Sequence, residues 1–234
     1  MAVNLFSIMP ALYMQIFGIA MLLLVIAGMS YDFIGGKKLE YTIRDRKERN
    51  SGGFYIGAAL NAIFVDISTS AQFAKCSIQR RASHILMMWG FIISIVVLFV
   101  EVYFAHFAAV LSIYNPLQAL LLTAWIMVIA GALWFMPQRA NVRVDGDPVY
   151  KLRKADMFVV NVIVYAILGI ALEAAIMSGS VIISEALLAS FLCSVTLLFA
   201  LVPWTKFPHM FYKAGLIIQD KMEMGRVESR LPGD

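Results

Sequence analysis

Five runs of apolar residues, each about 20 long, alternate with polar stretches along the chain, and a helix of that length covers the hydrocarbon thickness of a bilayer at a rise of about 1.5 Å per residue. The pattern predicts transmembrane spans over residues 11–31, 84–106, 116–136, 157–177 and 182–204, none with a charged residue at its centre. After the first run comes DFIGGKKLEYTIRDRKERNSGG, a mixed-charge loop that belongs in water. Residues 55–75 are different. Tyr55, Leu60, Ile63, Phe64 and Ile67 fall near helical spacing, while Asn61, Asp66, Ser68, Thr69, Ser70 and Gln72 interrupt them. An amphipathic helix on the inner membrane surface or against a partner is the expected element, with a sixth span as the alternative. Asn115-Pro116 restarts the third span, Asp145-Gly146-Asp147-Pro148 marks a turn, and Ser178-Gly179-Ser180 joins the last two spans.

Composition sharpens this into a fold class. Of the 234 residues 61% are hydrophobic, and the mean hydropathy is +0.80, more apolar than a water-soluble domain of this size can hide in one core. The expected architecture is all-α, a polytopic membrane helical bundle over residues 1–215 followed by a cytoplasmic tail over 216–234. A net charge of +4 raises the possibility of nucleic acid, but the cations are confined to inter-helix segments, and no nucleic-acid module is visible. Residues 32–81 hold nine Lys and Arg, 137–156 hold five and 206–234 hold five, which accounts for all nineteen. The positive-inside rule therefore places the N-terminus outside and the C-terminus inside. The first run lacks a preceding basic residue and a convincing cleavage site, and is read as a retained span.

Candidate chemistry gathers at the inner ends of two spans. His84 opens the second and His209 closes the fifth, so both imidazoles sit at one depth, where they can supply the two axial nitrogens of one haem b iron. Arg80 and Arg81 are placed to pair with its propionates, with Trp89, Phe91, Phe207 and Phe211 as apolar walls. The plainer reading is that interfacial histidines are merely tolerated polar residues. His106 lies 22 residues from His84, about 33 Å along a helix, with no second histidine at its depth. Glu101 and Glu173, near the outer ends of the second and fourth spans, read either as a proton relay or quinone contact or as snorkelling side chains. Lys206 reads either as a donor to a quinone carbonyl or as an inner-face anchor, and Asn61, Asp66 and Gln72 are weaker candidates for a quinone entrance. Cys76 and Cys193 lack metal-ligand spacing and are taken as packing residues. No residue is assigned as catalytic.

The order C-x3-RR-x2-H-x4-WGF (Cys76 to Phe91), G-x2-W-x4-R (Gly131 to Arg139), ADMF (Ala155 to Phe158), G-x3-E (Gly169 to Glu173) and PWTKFPHMF (Pro203 to Phe211) resembles the membrane cytochrome b subunits related to the gamma subunit of respiratory nitrate reductase. The likeness is greatest to the branch of heterodisulfide reductases and quinone-interacting complexes of sulfur metabolism, and it runs from about Val65 to Tyr212. It implies a quinone-linked cytochrome b in the cytoplasmic membrane of a prokaryote. Such a subunit carries electrons between membrane quinone and a cytoplasmic iron-sulfur flavoprotein, such as an adenylylsulfate reductase or a heterodisulfide-reductase-like assembly. Family members often hold two haems. Here Ser94 and Phe191 stand where the outer pair of histidines would be, so the resemblance carries over one haem, on His84 and His209. The competing expectation is a haem-free membrane docking protein for a soluble redox enzyme. A transporter is disfavoured, since no span has a Gly/Pro-broken middle or a central charge.

Overall fold

The computed structural model describes residues 5–35, 78–104, 116–153 and 156–201. Within them every regular element is helical: α1 (Leu5–Ile8), α2 (Ala11–Gly35), α3 (Ile78–Tyr103), α4 (Pro116–Phe135), α5 (Ala140–Arg143), α6 (Met157–Ser178) and α7 (Val181–Ala200), with a 3-10 turn at Met136–Gln138 extending α4. Five of these are long and apolar enough to cross a bilayer. The chain is a multi-pass membrane protein built as an all-α bundle. The expected amphipathic helix over 55–75 and the tail over 216–234 lie outside the described residues.

Helix α3 starts at Ile78, six residues before the expected boundary at His84. Hydropathy marks where lipid begins, whereas a helix continues for as long as its backbone hydrogen bonds do, and long cationic side chains reach back to water from inside it. Arg80 and Arg81 therefore belong to the helix that carries His84 and do not precede it.

Lipid tails are as apolar as leucine, so helices in a membrane associate through close packing and hydrogen bonds. Glycine provides the closeness between α3 and α4. A Cβ at Gly90 would lie 2.7 Å from the Ala124 carbonyl oxygen, and one at Gly131 would lie 2.5 Å from the Met87 backbone nitrogen and 2.8 Å from the Ser83 oxygen. The two backbones touch. At Gly169 of α6 a Cβ would meet the Trp125 ring of α4 at 2.5 Å, so that glycine makes the notch into which the indole fits. Helices α6 and α7 form a hairpin because Gly179 takes the left-handed conformation, φ 81°, and donates its N–H to the Ile176 carbonyl. Asn161 and Ser194 then tie the pair together: the Asn161 amide donates to the Ser194 carbonyl at 3.2 Å, and the Ser194 hydroxyl donates to Asn161 Oδ1 at 3.1 Å. Helix α2 is mostly lipid-facing. Its Gln15 donates to the Val102 carbonyl at 3.1 Å and its Gln15 carbonyl accepts from the Tyr103 hydroxyl at 2.7 Å, which sets the start of α2 beside the end of α3.

Rings fill the middle of the bundle. Phe91 meets Tyr165 edge-on at 6.0 Å and Phe158 at 6.3 Å, Trp125 meets Phe191 at 6.2 Å, and Tyr165 leans on Phe191 at 5.2 Å. The Tyr165 hydroxyl donates to Ser94 Oγ at 3.1 Å, and that hydroxyl donates to the Phe91 carbonyl at 2.8 Å, so both buried polar groups are served without water. Removing the ring at Phe191→Ala is expected to cost about 2 kcal/mol, below the 3–5 of a soluble core, since an unfolded helix in lipid keeps its apolar surroundings and only the packing is lost. Tyr165→Phe should cost about 0.6 kcal/mol, the average for an interhelical hydrogen bond in a membrane. Unfolding in mixed micelles measures both.

Candidate functional site

The two ends of the bundle differ in charge. Arg80, Arg81, Arg139, Arg143, Lys151 and Arg153 all lie at the end formed by the start of α3, the end of α4 and the start of α6. Among the described residues the opposite end carries no Lys or Arg. The basic end is the one the positive-inside rule assigns to the cytoplasm.

His84 sits two turns into α3 at this end and is half-buried. It shares its helical stripe with Met87, Met88 and Phe91, all buried, so the imidazole is on the face turned toward the bundle. One turn earlier Arg80 places its guanidinium over the Phe135 ring of α4, 5.9 Å from the centroid, which holds a cation at the same end of the bundle. Trp89 does not share that face. It lies about 140° around the helix from His84 and is 37% exposed, which removes it from the walls of an inward site. Phe91 belongs to the central aromatic cluster, about 10 Å along α3 from His84. Ser94 and Phe191 are both buried at that cluster, each against Tyr165.

A haem b needs an axial imidazole on an inward stripe, cations at the water-facing rim and an apolar floor. His84, Arg80 and Phe91 fit those requirements. His209, Lys206, His106, Phe207, Phe211, Cys76 and the Asn61, Asp66, Gln72 group lie outside the described residues. Among the described residues no three His, Cys, Asp or Glu side chains gather into a metal cage.

Sequence reasoning gave Arg139 and Asp156 no role, although each stood in a quoted motif. The structure pairs them: Arg139 Nη1 and Asp156 Oδ2 are 2.5 Å apart, with both side chains almost wholly buried. Arg139 also donates to the carbonyls of Met136 at 2.9 Å, Lys151 at 3.4 Å and Val149, and Asp156 accepts the Arg153 backbone N–H at 3.0 Å. One guanidinium thereby pins both ends of the segment joining α4 to α6. Outside it, Asp147 accepts from Lys151 at 2.7 Å and from Arg153 at 2.9 Å, and Asp145 accepts from Arg153 at 2.7 Å. Hydrogen bonds from Lys151 and then Arg153 hold the Asp147 carboxyl below its ordinary pKa, so this outer brace is complete at neutral pH and loosens as pH falls through that lowered value. The braced loop displays Val144 and Tyr150, 82% and 85% exposed.

At the opposite end Glu101 of α3 and Glu173 of α6 are both partly buried. Each has a buried Oε1 with no hydrogen-bond partner among the described residues. Cys193 corrects another expectation: it is exposed on the lipid-facing side of α7 and does not pack in the core.

No family model, curated protein or solved structure matches the chain. The likeness to membrane cytochrome b subunits stands on the quoted motifs alone. Several of those motif residues have structural duties here: Gly90, Gly131 and Gly169 at helix crossings, Arg139 and Asp156 in the buried pair.

Proposed function

We propose that the chain is the membrane anchor and electron-transfer subunit of a quinone-linked oxidoreductase, with one haem b at its cytoplasmic end between His84 and His209. The observation that carries this reading is the position of His84 on the inward stripe of α3, below Arg80 and above the aromatic floor begun by Phe91. A haem bound there supplies one-electron chemistry. The chain's own residues would hold the iron by the His84 and His209 imidazoles and balance propionate charge with Arg80 and Arg81, at the end of the bundle where a docked iron-sulfur flavoprotein would be within short reach. An adenylylsulfate reductase or a heterodisulfide-reductase-like assembly is the proposed partner, the cytoplasmic membrane of a prokaryote the proposed location, and Lys206 a proposed quinone contact. Glu101 and Glu173, each with one buried oxygen near the far end, are the proposed proton-handling groups.

The test is the reduced-minus-oxidised spectrum of the purified chain. A b-type band is expected, and His84→Ala and His209→Ala should each abolish it with Phe191→Leu as the control that leaves it in place. A wild-type spectrum without the band overturns the haem. In that event the braced loop favours the second reading, a haem-free docking protein, because a segment fixed from beneath by Arg139 and displaying Tyr150 and Val144 is suited to holding a soluble enzyme.

A further inference from the structure

The loop between α4 and α6 is held at the level where its two spans end. One span runs to Gln138 and the next begins at Met157, so the buried Arg139–Asp156 pair sits immediately outside both. Arg139 also donates to the carbonyls of Val149 and Lys151, the two residues that flank Tyr150. Consecutive Cα atoms are about 3.8 Å apart, so the Tyr150 backbone cannot rise far from that plane. The headgroup layer on each side of the hydrocarbon is about 5–8 Å deep, and Tyr150 lies within it.

What the loop displays at that level is apolar. Val144 and Tyr150 are almost wholly exposed, and Val149 and Leu152 are nearly half exposed. The charges among them are mostly turned on one another, since Asp145 and Asp147 take up Arg153 and Lys151. Arg143 is the exception, an exposed cation at the end of α5 that no carboxylate meets among the described residues. Other exposed rings mark the same end of the bundle: Trp134 in the last turn of α4 and Tyr31 near the end of α2. Tyrosine and tryptophan concentrate at this depth because an apolar ring with a polar edge suits the boundary between acyl chains and water.

We propose that the 143–153 loop is an interfacial anchor on an anionic phospholipid surface, with Val144, Val149, Tyr150 and Leu152 in the boundary between headgroups and acyl chains and Arg143 on a lipid phosphate. The brace favours this contact, because a loop already fixed by Arg139 loses little conformational freedom when its side chains enter the boundary. Covering four apolar side chains is the gain, and Arg143 supplies the preference for negative charge. A soluble protein is the poorer occupant, since it would have to part the headgroups to reach side chains held level with the span ends. The lipid contact is independent of the haem.

The experiment places a bimane label at residue 144, 145 or 150 of the full chain, through Val144→Cys, Asp145→Cys or Tyr150→Cys in a Cys76→Ser, Cys193→Ser background, in phosphatidylcholine nanodiscs. All three positions are exposed and none of these side chains bonds to the buried pair, so the bundle keeps its fold. A small fraction of phosphatidylglycerol or phosphatidylcholine with a nitroxide near the top of its acyl chain quenches from the lipid, and iodide quenches from water. The expected result is strong lipid quenching with weak iodide quenching at 144 and 150, and the reverse at 145. Nitroxide phosphatidylglycerol should be preferred about fivefold over phosphatidylcholine, the worth of one basic residue at an anionic surface, and Arg143→Gln should remove that preference. Iodide reaching 144 and 150 as freely as 145 overturns the anchor and leaves the loop clear for a soluble protein. Equal quenching by the two lipids, or a preference unchanged in Arg143→Gln, overturns the anionic partner.

Discussion

Gly131→Ala should destabilise the bundle by about 2–3 kcal/mol, although alanine is the best helix former and the smallest chiral side chain. The added methyl would lie 2.5 Å from one backbone atom of α3 and 2.8 Å from another, well inside ordinary van der Waals distance, and neither atom can rotate away. The helices must separate by about 1 Å, and a radial gap of 0.5–1 Å forfeits a quarter to a half of each dispersion contact along the seam. In a membrane that seam is held by little else. Gly90→Ala meets the Ala124 carbonyl and the Val128 nitrogen one turn further along the same crossing, so it should cost a similar amount alone. Combined with Gly131→Ala it should add less than about 1 kcal/mol, because the first substitution has already opened the space that the second needs. Denaturant unfolding of the two single variants and the double in mixed micelles measures the coupling. Full additivity would mean that the crossing is not shared, and no loss in Gly131→Ala would mean that the backbones do not touch there.

The same crossing explains which parts of the fold could be read from the chain and which could not. Span positions were legible because hydrocarbon selects for length and apolarity, and α4 and α6 begin where Pro116 and Met157 were expected to start them. Faces were not legible. In a soluble helix the buried stripe is apolar and the rest polar, but in lipid Ile126 at 53% exposure and Val128 at 0% look alike in sequence. What distinguishes the faces is size, and the glycines at 90, 131 and 169 carried that information within motifs that were read for resemblance instead. Helix ends went astray for a related reason, since the apolar run that opens at His84 says where lipid starts and α3 starts at Ile78.

Of the site residues, His84 was legible as an imidazole at the mouth of a span, and its inward orientation needed the helix phase that only neighbouring burial supplies. The matching depths of Glu101 and Glu173 follow from counting along the spans, whereas the burial of one oxygen on each depends on how α3 and α6 pack against α4.

Arg139→Ala is expected to be the most damaging single change at the basic end, about 3–5 kcal/mol, because it strands the buried Asp156 carboxylate and releases three carbonyls together. Arg139→Lys should rescue little. An ammonium can pair with Asp156, but it has no planar fork with which to reach Met136, Val149 and Lys151 at the same time. The replacement of both partners by apolar residues, Arg139→Met with Asp156→Leu, should be milder than Arg139→Ala, since no charge is left without its counterion. Stability alone would not separate a lost ion pair from a lost loop clamp, so limited proteolysis of the segment 143–153 provides the second readout. Arg139→Lys and the apolar double should both be cut several-fold faster there than the parent, while the double keeps more of its global stability. If the double resists protease as the parent does, the exposed Asp145, Asp147, Lys151 and Arg153 network fixes the loop without help from beneath. The buried guanidinium would then serve the helix ends alone, and the braced display of Tyr150 and Val144 would no longer argue for docking.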